Sequence, residues 1–93
     1  MTETGFYILL CLRLPNHGYG IVQQVKQITK NEVTLGPGTM YGTLGKMEKD
    51  GLIRFLYEVD KRKVYQITPL GEEVLALELR RIKRLYDSVK ESL

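Results

Sequence analysis

Apolar residues run without a break from Phe6 to Leu12, with only Glu3 and Arg13 charged at the flanks. The run predicts a first helix over residues 3–14, closed by Pro15. A helix that is apolar on every side has to be covered on more than one side. Its own domain can cover one face and a second copy of the chain the other, which makes Phe6, Leu9 and Leu10 candidate dimer contacts. The next stretch is amphipathic: Ile21, Val25 and Ile28, with Val22 beside them, oppose Gln23, Gln24, Lys26 and Gln27. It predicts a second helix over about 18–30, entered through a turn at Asn16-His17-Gly18. After a connector from Asn31 to Gly36, Pro37 suits the first turn of a third helix, where no amide donor is needed. Met40, Leu44 and Met47 share one side of that helix, and Gly51 stops it.

Beyond Gly51 the period drops to two. Ile53, Phe55 and Tyr57 alternate with Arg54, Leu56 and Glu58, as in a half-buried strand. Val59-Asp60-Lys61-Arg62 is a turn, and Val64-Tyr65-Gln66-Ile67 returns with Tyr65 and Ile67 inward. Thr68 caps a last helix that has Pro69 at its first position and Glu72 and Glu73 near its positive end. This helix can run to the end of the chain, about 24 residues and roughly 36 Å. Leu75, Leu79, Ile82, Tyr86, Val89 and Leu93 are spaced 4, 3, 4, 3, 4 along it, an a/d seam too long for so small a core to cover alone.

The order helix, helix, helix, two-stranded hairpin, long helix is mainly α with a small β-hairpin. It is that of a winged helix-turn-helix over residues 1–68, followed by a dimerisation helix over 69–93. The outer side of the third helix carries Gly42, Gly45, Lys46 and Lys49, with Gly38 at its upper end. Glycine costs about 1 kcal/mol in an exposed helix interior. Small residues beside lysines suit either a merely solvated face or one that a bulky anion approaches closely. A recognition helix entering a DNA groove about 12 Å wide gives the second reading a purpose. Candidate DNA contacts are then Gly38, Thr39, Tyr41, Gly42, Thr43, Lys46 and Lys49, with Lys61, Arg62 and Lys63 at the hairpin tip meeting phosphate.

With 93 residues, 43% of them hydrophobic, the chain is one small domain; its net charge of +3 fits a nucleic-acid partner without demanding one. Cys11 is the single cysteine, read as a small buried hydrophobe. No internal disulfide or cysteine zinc site can form, no cofactor is indicated, and a cytoplasmic chain is expected. The apolar run is too short to span a membrane and lacks the features of a signal peptide. His17 is the only histidine, and serines occur only at Ser88 and Ser92, so no nucleophile–base pair is available and the chain is not expected to be an enzyme.

Pro15-Asn16-His17-Gly18-Tyr19-Gly20-Ile21, Gly38-Thr39-Met40-Tyr41, Met47-Glu48-Lys49-Asp50-Gly51-Leu52-Ile53 and Lys63-Val64-Tyr65-Gln66-Ile67-Thr68-Pro69-Leu70-Gly71 resemble the PadR family of bacterial transcriptional regulators. The similarity spans about residues 6–75. It implies a dimeric winged-helix repressor of the short-tailed branch, whose last helix packs on the partner's first helix, with no separate ligand domain. It also implies that Tyr41 meets the DNA backbone and that Tyr19 lies near the DNA-facing side or packs beneath it; core packing is the other reading of both tyrosines. The family offers precedents for phenolic and multidrug effectors between subunits, though no residue here identifies one. Many members have proline where Gly42 stands, an acidic residue where Gly20 stands, and a longer wing. A winged-helix protein-interaction module that uses the same face without DNA is the alternative, separable by salt dependence.

Overall fold

Each helix begins at a start signal in the computed structural model, which describes residues 1–93. The Thr2 hydroxyl accepts from the Gly5 amide at 3.0 Å to open α1, Glu3–Cys11. The His17 imidazole Nδ1 accepts from the Gly20 amide at 3.0 Å to open α2, Gly18–Ile28. Helix α3, Pro37–Lys49, has no side-chain cap and starts on its proline. The Thr68 hydroxyl opens α4, Pro69–Ser92, by accepting from Gly71 N–H at 3.1 Å, and it donates to the Gly51 carbonyl at 2.6 Å. One side chain thus starts the last helix and ties it to the turn that ends α3.

Two helices stop earlier than the apolar pattern suggests. Helix α1 ends at Cys11 rather than residue 14. The residue before a proline resists helical geometry, and the Leu12 carbonyl is taken by the Ile67 amide at 2.8 Å. Helix α2 ends at Ile28, where Lys30 and Asn31 turn the chain through left-handed φ values of 52° and 66°.

The hairpin consists of β2, Ile53–Val59, and β3, Arg62–Ile67, and a third strand joins them. Strand β1, Asn16–His17, pairs antiparallel with β3, Asn16 opposite Tyr65 and His17 opposite Val64, giving the order β1-β3-β2. Two residues are too few for an alternation to announce a strand. The expected inward row of β2 also fails: Ile53 is buried, but Phe55 and Tyr57 are exposed and Leu56 is half-buried. The register shifts between Phe55 and Tyr57. A bulge of this kind breaks the period of two. On β3, Val64 and Ile67 are buried and Tyr65 only half so.

The core joins Ile8, Leu9, Cys11 and Leu12 of the first helical segment to Ile21 and Val25, to Met40, Leu44 and Met47, and to Ile53, Ile67 and Leu75. A Cβ at Gly71 would overlap the Leu52 carbonyl oxygen, so α4 crosses the backbone after α3 at a distance only glycine permits.

Candidate nucleic-acid interface

Helix α3 seats Met40, Leu44 and Met47 in the core and turns its remaining arc outward. Gly38, Gly42 and Gly45 are exposed there, and a Cβ built on any of them meets nothing within 4 Å. Nothing inside the chain requires these glycines. The Thr43 hydroxyl donates to the Thr39 carbonyl at 2.8 Å, which satisfies it within the helix.

The outer arc has two flanks. On one, Gly38, Thr39, Gly42, Thr43 and Lys46 border a groove of about 560 Å³ that Thr2 and Gly5 close from the side of α1. On the other, Tyr41 joins His17, Gly18 and Tyr19 from the start of α2 and Lys61, Arg62 and Lys63 from the hairpin in a cleft of about 320 Å³. Lys49 is exposed in the last turn of α3 and borders neither. Helix three, the start of helix two and the wing tip therefore meet, as the order of elements predicts.

Both tyrosines lie outside the core. Tyr19 and Tyr41 are more than half exposed. The Tyr41 ring lies over Gly18, where an added Cβ would come within 2.9 Å of its Cε1 and Oη. The Arg62 guanidinium lies over the Tyr19 ring, 5.0 Å from its centroid. Asn16 braces the same corner: its Oδ1 accepts from the His17 amide at 2.8 Å and its Nδ2 donates to Gln24 at 3.3 Å. A Cβ at Gly20 would displace that carboxamide, which accounts for glycine at this position. The sequence marks Asn16-His17-Gly18 as the turn into the second helix but gives no sign of this bracing, because Asn16 and Gln24 stand apart in the chain and meet only once α2 has formed.

The site's cations are free. The two ion pairs, Glu78–Arg81 and Lys83–Asp87, both lie on α4. Lys46, Lys49, Lys61, Arg62 and Lys63 form no ion pair, although Glu58, opposite Lys63 on the hairpin, lines the same cleft, and they remain available to an anion. At the back of the cleft, burial and then the Glu48 carboxylate raise the Tyr65 phenol above its ordinary range, keeping it neutral.

Residues 8–77 match the model of the transcriptional regulator PadR-like family. The chain belongs to that family. Its members are transcriptional regulators and not enzymes. Over 93 residues, 98% of this chain, it is 37% identical to an uncharacterized 37.1 kDa protein in a transposon of Streptomyces fradiae, of whose length it spans only 26%. It is similar to a PadR family regulator of Clostridium difficile at 26% identity and a TM-score of 0.83, with 97% of each chain covered. It shares its fold with Bacillus subtilis PadR in complex with operator DNA, at 24% identity and a TM-score of 0.75, over 84% of this chain and 47% of that one.

The expected dimer contacts of this PadR-like chain divide into two groups. Leu79, Ile82, Tyr86 and Val89 are exposed along α4, and Phe6 and Leu10 are half-buried. Leu9 and Leu75 are not on a free face: at 0% and 4% exposure they are already spent in the chain's own core. No helix is long and apolar enough to cross a membrane.

Proposed function

We propose that the chain is a homodimeric, cytoplasmic repressor that binds double-stranded operator DNA with sequence specificity. In this reading residues 1–68 bind DNA and residues 69–93 dimerise. Gly38, Thr39, Gly42, Thr43, Lys46 and Lys49 enter the major groove, while Tyr41, Lys61, Arg62 and Lys63 meet the backbone and Tyr19 lies beneath them on the DNA-facing side. A small apolar or aromatic effector between the subunits relieves repression.

The observation that carries the reading is the exposed arc of α3, whose uncovered glycines lie on one flank and whose Tyr41, on the other, borders the cleft lined by Lys61, Arg62 and Lys63. The operator-bound Bacillus subtilis PadR supports it through the shared fold. The test is a titration onto fluorescent DNA from upstream of the chain's own gene, at 50 and 200 mM salt. Six or more phosphate contacts should cost roughly a thousandfold in affinity between the two. Salt-insensitive binding, or none at 50 mM, would refute DNA recognition and favour a protein-interaction module.

A further inference from the structure

We propose that Tyr19 is a positioning residue for the wing: its ring holds the Arg62 guanidinium, and with it the basic hairpin tip, beside α3. The proposal rests on the DNA-binding reading above.

The base of the wing is held by Ile53 and Ile67 in the core and by the Ile67 amide on the Leu12 carbonyl. Its outer end is not: β2 is an edge with no outer neighbour, and residues 60–63 are all exposed. The two-residue ladder of β1 on β3 ends with His17 opposite Val64. Tyr19 lies two residues past His17, and Arg62 two residues before Val64. Their stack is therefore the next contact outward, where the ladder has run out and the tip begins.

The chemistry of the pair suits a clamp. Tyr19 is 55% exposed, so its ring is not held there by core packing. Arg62 has no carboxylate partner, and its planar guanidinium can lie on an aromatic face while its N–H edge stays free for an anion. Tyr41 of α3 borders the same cleft. A tip held on Tyr19 is thereby held at a fixed place relative to the recognition helix. Lys61 and Lys63 flank Arg62 in sequence and are carried with it.

The test is a double-mutant cycle on the upstream DNA, with Tyr19→Leu, Tyr19→Phe and Arg62→Gln alone and combined. An exposed cation–π contact predicts a two- to fivefold loss for Tyr19→Leu. Tyr19→Phe keeps the ring face and should stay within about twofold of the parent. In the Arg62→Gln background Tyr19→Leu should cost nothing more. An equal loss in that background would mean that Tyr19 acts on DNA or the fold directly. Tighter binding would mean that the stack withholds Arg62 from phosphate. Either overturns the proposal, as does no loss at all. Hydrogen exchange of the free protein tests the clamp without DNA: Tyr19→Leu should speed exchange at residues 60–63, and Tyr19→Phe should restore it. Unchanged exchange removes the clamp even if the parent binds DNA. A parent that binds no DNA while its exchange follows this pattern removes the DNA reading alone.

Discussion

Gly42→Ala separates a solvated helix face from one that enters a groove. In a helix interior, alanine is favoured over glycine by about 1 kcal/mol. Part of such a gain is often lost to a clash, but no atom lies within 4 Å of a Cβ at Gly42. The full gain should appear, raising the melting temperature by about 4–8 °C for a domain of this size. Gly45→Ala has the same open surroundings and serves as a control for helix propensity. Gly42 borders the groove with Thr39, Thr43 and Lys46, whereas Gly45 does not. If α3 enters DNA by that flank, a methyl at Gly42 must push against it, at a cost of roughly 1–3 kcal/mol as in an overpacked contact. Circular dichroism melts read the first effect and fluorescence anisotropy on the upstream DNA reads the second. The expected variant melts higher and binds at least about fivefold more weakly, with Gly45→Ala less affected. Equal affinity in a protein that melts higher would refute close approach as the reason for the glycine.

Lys61 has a φ of +63° in the hairpin turn, so Lys61→Gly should stabilise the fold by about 0.5–1 kcal/mol, while removing a tip charge should flatten the salt dependence of DNA binding; an unchanged slope would place this lysine off the phosphates. Gly71→Ala should destabilise by about 2–3 kcal/mol in denaturant titrations, because the Leu52 carbonyl it meets is backbone and cannot swing aside. Burial pushes the Cys11 thiol up to about 11 from an ordinary 9.0, only partly offset by Arg13. The folded chain therefore holds a proton that the unfolded chain has lost, so stability should be full below about pH 9 and decline toward pH 11; stability that rises over that window would refute the assignment. Ile82→Asp should abolish the proposed dimer in sedimentation while a folded monomer remains, since Ile82 is 40% exposed in the single chain and outside its core; an unchanged dimer would move the interface elsewhere.

The helices were legible because period and end signals agree. Met40, Leu44 and Met47 are buried at their expected spacing, and Thr68 and Pro69 stand where α4 begins. What was not legible depends on distant partners. Strand β1 exists because β3 comes alongside Asn16 and His17, and two residues have no period of their own. The bulge at Leu56 cancels the alternation that otherwise foretells which residues face in. Within the site, the basic tip and the glycine face could be read from residue types. The Tyr19–Arg62 stack could not, because the pair is joined only by the ladder beside it.

The seam of α4 shows the same limit of periodicity from the other direction. Its 4-3 spacing runs unbroken from Leu75, yet exposure climbs from 4% there to 40% at Ile82 and 65% at Tyr86. A period reports which residues share a face and is silent about what covers it. Here the cover thins in steps: Leu75 packs against the chain's own helices, Leu79 and Ile82 border a cleft against Phe6 and Tyr7 of α1, and beyond Ile82 the helix outruns them. The helix is roughly 36 Å long, in a molecule only 29 and 20 Å across its shorter axes. Leu79, Ile82, Tyr86 and Val89 are thus left about half in water. Full burial of a large apolar side chain is worth about 1.5–3 kcal/mol. Half-burying four of them forgoes roughly 3–6 kcal/mol per chain, a large part of the 5–15 kcal/mol that typically holds a domain folded. A second copy laid on the same stripe would recover that energy twice over, once for each chain, which is the physical argument for assigning this half of α4 to the proposed dimer.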